Sequence, residues 1–333
     1  MIAPPPDAAV ARFREAVDRL VTRALDGATM RDGARLALAV SGGADSMAML
    51  ALAAAAFPGR IVAATVDHGL RADAAAEARM VGDCCGALGV AHETLAPAAP
   101  ITGSSVQMRA REARYAVLTE WATARDTIAL LTAHHADDQA ETLLMRLNRA
   151  SGLAGLAAIR AHRWDAGLLV LRPLLDWRRA ELREIAEAAG LPFVDDPSNA
   201  DPRHDRTRIR ALLAEAPGLD PVALARSAAF LADAEAVIAL QAETLWTDRW
   251  RGTDRPFPVE ELPRELRRRL VRRAIHAARV QHGIVLPAFT DSANVEALLD
   301  ALEAGRGAVQ GGVKVDAARD GWTFRPAPAR RSL

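Results

Sequence analysis

Two stretches of this chain hold more reactive side chains than packing requires. The first is Ser41-Gly42-Gly43-Ala44-Asp45-Ser46, and the second is Ala133-His134-His135-Ala136-Asp137-Asp138-Gln139-Ala140-Glu141-Thr142. In the first, paired glycines let the backbone turn sharply and come close to an anion. A following helix would aim its unpaired N–H groups and the positive end of its dipole at the same point. Ser41 and Ser46 can donate hydroxyls, whereas Asp45 has no attraction for bare phosphate unless it caps the helix or holds a bridging metal ion. In the second, if Asp137 or Asp138 opens a helix, Glu141 stands about one turn further along and the carboxylates can share a face. Such a group can bind a cation, move a proton or hold zinc or magnesium. Magnesium that arrives with a nucleotide is the simpler expectation, because the phosphate loop already calls for one.

Buried strands have to deliver both stretches. Leu36-Ala-Leu-Ala-Val40 runs straight into the phosphate loop as a strand covered on both faces, and Met47-Ala-Met-Leu-Ala-Leu52 continues beyond it as a helix. Ile61–Val66 is a second strand, ending in Asp67-His68-Gly69-Leu70-Arg71. Ligands of open α/β sheets bind at the carboxyl ends of strands, so Asp67 and His68 stand where a nucleotide base can lie, unless Asp67 only caps the helix suggested by Asp73 to Leu88. Val90–Leu95 is a third strand, Thr127–Thr132 a fourth that delivers the histidines, and Val170–Leu175 a fifth. A helix from Asp176 to Ala189 stops at Gly190, as a C-cap residue predicts. Asp7 is placed to cap a first helix with Val10, Phe13, Val17, Leu20 and Val21 on one stripe.

Two arginine-bearing segments flank these elements. Ser104 and Gln107 form a capping-box pattern for a helix with Val106, Ala110, Ala113, Val117, Leu118 and Trp121 on its apolar side and Arg109, Arg111, Arg114 and Tyr115 elsewhere. Further on, Asp195-Asp196-Pro197-Ser198-Asn199 is followed by Arg203, Arg206, Arg208 and Arg210, a set suited to phosphates.

The hexamer SGGADS resembles the SGGxDS loop of the PP-loop ATP pyrophosphatases, which hold the β,γ-pyrophosphate of ATP while AMP passes to a substrate oxygen. No GxxxxGK pattern ending in Ser or Thr is present, so the expected chemistry is adenylation and not γ-phosphoryl transfer. HHADDQAET, with the glycines Gly152 and Gly155 after it, is similar to the HHxDDQAET and RGxGxxGL elements of the tRNA(Ile)-lysidine synthetase family. A VDHGLR-like segment, an ARxxRYxxL segment and a D-x-SN element before an arginine run also resemble that family, with Thr207 in place of an asparagine. The resemblance runs from about Arg35 to Arg210.

It implies a parallel-sheet α/β PP-loop domain over residues 1–216, and a long linker helix with a small, mainly helical tRNA-contacting domain over 217–333. ATP with Mg2+ adenylates the C2 oxygen of the wobble cytidine of a CAU-anticodon tRNA(Ile), and free L-lysine displaces AMP. Ser41, Gly42, Gly43, Ala44, Asp45 and Ser46 would bind ATP, with Asp67 and His68 on its adenosine side. Asp45 would hold magnesium; Asp137, Asp138 and Glu141 would take the lysine ammonium and its proton; His134 and Arg206 would stabilise phosphate charge. Arg111, Arg114, Gly152, Arg208 and Arg210 would face tRNA, and a homodimer is compatible with the family. Other readings are a different PP-loop enzyme, for which CxxC cysteines or an ammonia source are lacking, and a tRNA-binding protein without catalysis.

Composition sets outer bounds. Arginine and lysine total 42, as do aspartate and glutamate, so nucleic acid has to be met by local patches and not by a global field. Only Lys314 is a lysine. The adjacent Cys84 and Cys85 have poor disulfide geometry, which suggests a reducing cytoplasm, and no apolar run is long enough for a bilayer. Pro217-Gly218 marks the expected domain boundary. An amphipathic helix follows from Pro221, and Pro263 to Val280 carries an arginine-rich face readable as a solvated surface or a tRNA backbone patch.

Overall fold

The computed structural model describes residues 2–67, 69, 73–97, 106–195 and 205–328. Two compact units divide the chain, Met1–Ala232 and Asp233–Leu333, and the division falls beyond Pro217-Gly218, inside a long helix.

The first unit is built on six strands: β1 (Arg35–Ala39), β2 (Ile61–Val66), β3 (Ala91–Leu95), β4 (Thr127–Leu131), β5 (His162–Asp165) and β6 (Leu168–Leu171). They lie in the order β3-β2-β1-β4-β6-β5, all parallel except the edge strand β5. Leu36 and Leu38 of β1 pack into one layer with α1 (Asp7–Ala24), α2 (Ala44–Ala56) and α7 (Arg179–Ala188), while Ala37, Val62 and Val170 face α4 (Val106–Ala124). That two-sided burial explains the unbroken apolar strands. It also explains α2, in which Met47 to Ala53 are all buried, because α1 and α7 cover the sides that the sheet leaves. Strand order reverses between β1 and β4, and this opens the crevice where α/β sheets bind ligands.

Four local expectations are corrected. Asp7 lies in the first turn of α1, and Pro6 holds the N-cap position without a side-chain bond. Tyr115 is buried against Leu118, Trp121 and Val170 and is not on an outer face. The fifth predicted strand begins at Leu168 and stops at Leu171, ahead of Pro173, whose nitrogen cannot donate to a ladder. Before it runs β5, joined by a two-residue turn in which Ala166 (φ 46°) and Gly167 (φ 85°) are both left-handed. Ala-Gly is an uncommon pair for that turn, so the hairpin carries no strong sequence signal. Where the sequence shows only an arginine run, the chain forms helix α8 (Asp205–Glu215).

In the second unit, α10 (Arg264–Gln281) and α11 (Glu296–Glu303) pack with a three-stranded antiparallel sheet, β7 (Ala308–Gln310), β8 (Val313–Ala318) and β9 (Gly321–Pro326), around Leu270, Ile275, Leu299, Val315, Trp322 and Phe324. It is entered by α9 (Pro221–Arg249). The arginines of α10 are not an uncompensated patch. Arg264 bonds Glu296, Asp300 and Glu303; Arg268 bonds Glu265 and Glu296; Arg269 bonds Glu235; Arg273 bonds Glu243. Their charge is spent on α9 and α11, which leaves little field for a phosphate backbone. Cys84 and Cys85 are buried thiols of α3 (Ala74–Ala87), and burial pushes Cys85 up to about 12. Among the described residues no helix is long and apolar enough to cross a membrane.

Gly321 has φ 130°, and a Cβ there would lie 2.5 Å from the Phe257 carbonyl, in the tight bridge where Phe257 and Trp322 exchange backbone bonds of 2.8 and 2.9 Å. Gly321→Ala is therefore expected to cost the second unit at least about 2 kcal/mol, read as a lower denaturant midpoint by tryptophan fluorescence.

Candidate active site at the mouth of the sheet

After β1 the chain makes the predicted phosphate loop. Gly42 has φ 85°, a conformation that an L side chain resists, and its missing Cβ faces Met80 and Val81 at 3.5 Å. Gly43 is extended and caps α2, so Ala44, Asp45 and Ser46 form the first turn, whose N–H groups lack intrahelical acceptors. The two serines divide the work. Ser46 is buried; its Oγ donates to the Gly43 carbonyl at 2.9 Å and accepts from the Ser41 N–H at 3.1 Å, so it shapes the loop. Ser41 is exposed, and its hydroxyl donates to Ser46 Oγ at 3.2 Å, because the Ser46 proton goes to Gly43. The Val194 N–H donates to the Gly42 carbonyl at 2.9 Å and fixes the loop from behind.

Asp45 joins this loop to the second cluster. Its Oδ2 is 3.4 Å from His135 Nε2, and its buried Oδ1 has no hydrogen-bond partner. His135 is the N-cap of α5 (Ala136–Asn148): Nδ1 accepts from the Asp138 N–H at 3.3 Å, and the Asp138 carboxylate accepts from the His135 N–H at 3.2 Å. An acceptor at Nδ1 leaves the ring proton on Nε2, directed at Asp45. Burial works against charging this imidazole, but the bond to Asp45 and the charges of Asp138, Asp45 and Asp137 outweigh it and raise its pKa. Sequence reading assigned His135 no role of its own. Its signal was the reciprocal spacing His-x-x-Asp, a capping box with an unusual first member.

The three carboxylates of α5 separate into two groups. Asp137 turns to α7: it accepts from the Arg179 N–H at 2.8 Å and from Arg178 at 3.1 to 3.3 Å, which caps that helix. This corrects the expectation that it joins the other two on one face. Asp138 and Glu141 do meet, through α8. Arg206 bonds Asp138 and donates Nε to Glu141 at 2.5 Å, and Arg210 donates Nε to Glu141 at 2.7 Å. The Glu141 side chain is only 2% exposed, so two guanidinium groups are what make its burial tolerable. Burial opposes the Arg206 charge, yet Asp138 and Glu141 raise its pKa.

His134 is different in kind. Burial, then Arg172, Arg111, Arg206 and His135, hold its pKa well below 6.5. With Nδ1 at 3.0 Å from the Thr132 hydroxyl it can offer a neutral Nε2–H, so it can donate a hydrogen bond to a phosphate but not a charge. Asp67 closes an Asx turn onto the Gly69 N–H at 2.8 Å at the end of β2, and His68 lies outside the described residues. Arg111 and Arg114 are exposed on α4. Gly152 caps the single-turn helix α6 (Leu153–Leu156), and a Cβ on Gly155 would meet Ser151 at 2.8 Å. Arg208 is exposed and shares Asp205 with Arg149. Among the described residues no group of three or more His, Cys, Asp or Glu side chains is arranged to hold a metal.

The PP-loop domain family matches residues 12–216. The chain is 46% identical over 303 residues to tRNA(Ile)-lysidine synthase of Novosphingobium aromaticivorans, spanning 90% of each. It belongs to the tRNA(Ile)-lysidine synthase family. The Zymomonas mobilis lysidine synthase is 43% identical over 270 residues, 79% of each chain. Among solved structures, U34-tRNA thiolase NcsA from Methanococcus maripaludis, with its 4Fe-4S cluster, aligns with TM-score 0.50 and 18% identity over 65% of this chain and 76% of its own, which bears on the fold alone.

Two outcomes follow for the lysidine synthase fold. Partial burial pushes the Asp137 carboxyl up, but Arg178 and the Arg179 N–H outweigh it and hold its pKa below the ordinary 3.8. The stabilisation is complete above that ordinary value and is lost as pH falls through the lower folded one. Asp137→Ala should therefore cost about 1–3 kcal/mol in urea unfolding at neutral pH, and less near pH 3. His134, with a folded pKa far below 6.5, instead loses stability as pH drops under 6.5, because the unfolded chain takes up the proton first. His134→Gln should flatten that part of the stability–pH curve.

Proposed function

We propose that this chain adenylates the C2 oxygen of the wobble cytidine of CAU-anticodon tRNA(Ile) and then joins the ε-amine of free lysine to that carbon, releasing pyrophosphate and AMP. The observation that carries the reading is the direct link, through His135, between the phosphate-loop carboxylate Asp45 and the Asp138–Glu141–Arg206 group. One side suits a nucleotide triphosphate and the other an amino acid. Family membership supports the same pairing.

The residues fit magnesium as a passenger of ATP. Asp45 Oδ1 is a buried hard oxygen without a partner, and magnesium uses one or two carboxylates together with substrate phosphates. Bound there, the ion would neutralise the departing pyrophosphate. Gly42, Gly43 and the α2 N-terminus provide backbone donors for the same oxygens. Asp67 stands on the adenosine side. The His134 Nε2–H is placed to donate to an α-phosphate oxygen without adding charge, so its contribution is orientation.

Lysine enters as a zwitterion and must lose a proton before it attacks. Asp138 and Glu141 together carry two negative charges, balanced by Arg206 and Arg210. An ammonium can take the carboxylates while the lysine carboxylate takes a guanidinium, and Asp138, the more exposed of the two acids, is the candidate to accept the proton. Asp137 is assigned the support of α7 instead. Residues 1–216 hold this chemistry, with Arg111, Arg114, Gly152 and Arg208 on the RNA side and residues 217–333 reaching outlying parts of the tRNA. The enzyme would work in the cytosol, and its two-substrate site needs no second copy.

The test is incubation with ATP, magnesium, labelled lysine and a CAU-anticodon tRNA(Ile) transcript. Lysine incorporation that requires ATP and the wobble cytidine is expected. AMP release without incorporation would remove lysine as second substrate, and RNA binding with neither product would make this a non-catalytic binder. Asp138→Asn should lower lysine incorporation at least about tenfold, with ATP- and tRNA-dependent pyrophosphate release retained; equal loss of both would reassign it to structure.

A further inference from the structure

Beyond β4, on the side away from the phosphate loop, three arginines converge on one tyrosine. Tyr115, buried on α4, has the Arg163 guanidinium 4.5 Å and the Arg111 guanidinium 5.3 Å from its ring centroid. Arg172, directly after β6, is 3% exposed and faces the Tyr115 hydroxyl. Its Nη1 donates to the Arg160 carbonyl at 2.6 Å, but its buried Nε has no hydrogen-bond partner. Among the described residues the one carboxylate bonded to any of the three is Asp165, which Arg163 holds at 2.6 Å. Three like charges against one acid, around a buried ring, is costly as packing alone. The ties of Arg172 to the Arg160 carbonyl and the Tyr115 hydroxyl leave its buried Nε without a partner.

We propose that Arg111, Arg163 and Arg172, arranged around Tyr115, form a phosphodiester subsite for the RNA strand, one step along the sheet from the reacting nucleotide. Guanidinium groups pair with phosphate oxygens in two-point contacts, and the phenol adds one more donor. RNA is favoured over the nucleotide as the source. The triphosphate is met by the loop after β1, whereas this cluster lies over β6 and β5; at the usual strand spacing β6 stands about 10 Å from β1. An RNA strand whose target base reaches the β1–β4 crevice can continue over β6. Burial first, and then Arg172 and Arg111 of this cluster, lower the His134 pKa, which couples the subsite to the donor beside the reacting phosphate. The inference rests on the RNA-modifying reading above.

The experiment compares the wild type with Arg111→Gln, Arg163→Gln and Arg111→Lys, each first checked for an unchanged denaturant midpoint. Binding of a synthetic CAU anticodon stem–loop is measured without ATP across a salt series, and ATP binding is measured without RNA. Each glutamine variant is expected to bind the stem–loop about tenfold more weakly, with a log–log salt slope shallower by about 0.7–0.9 and ATP affinity unchanged, and Arg111→Lys to regain the slope. Unchanged RNA binding and slope in both glutamine variants would overturn the subsite while leaving the lysidine reading intact. Loss of ATP affinity instead would assign the cluster to the nucleotide and overturn it too. If the wild type binds no RNA at all, both readings fall; if it binds stem–loops of any anticodon equally and the variants still lose the slope, the subsite stands and the CAU reading falls.

Discussion

The contact on which the rest of this structure depends is the one between Asp45 and His135. A carboxylate in the first turn of a helix and an imidazole at the N-cap of another meet across the gap where strand order reverses. Each is held from behind, Asp45 by the loop that Ser46 closes and His135 by its reciprocal bonds with Asp138. Because the imidazole spends Nδ1 on a backbone N–H, it has a single proton to give Asp45. One carboxylate oxygen is therefore satisfied and the other left for a hard cation.

From this contact the site extends in opposite electrostatic directions. Along α5 lie Asp138 and Glu141, neutralised by Arg206 and Arg210, which also tie α8 to the first unit's core layer. Beyond β4 lies a positive cluster around Tyr115, with few acids and a histidine kept neutral. The pair His134 and His135 shows how neighbouring residues of one type acquire opposite characters. Three aspartates surround one ring and arginines surround the other.

The second unit illustrates the limits of counting charges. An arginine row on α10 looks like a nucleic-acid surface when its helix is drawn alone. Glu235 and Glu243 of α9 and Glu296, Asp300 and Glu303 of α11 come from distant parts of the chain and neutralise it. Arg111 and Arg172 have no bonded carboxylate among the described residues, and only Arg111, in its ARxxRYxxL segment, stands out from the α10 set by its sequence neighbourhood.

By itself the sequence determined the local things: which segments are buried strands, because Leu36 to Val40 and Ile61 to Val66 are apolar on both faces; where the anion loop sits, because Gly42 needs a positive φ; and which family the motifs belong to, because their order and spacing are specific. Only the tertiary structure decided partnership. That Asp137 supports α7 while Asp138 and Glu141 face α8, that Ser46 is spent on its own loop, and that Tyr115 is a buried hub depend on helices that approach from elsewhere in the chain. The physical reason is that backbone preference and burial periodicity act over a few residues, whereas the state of a charged side chain is set by whatever the fold brings within a few ångströms of it.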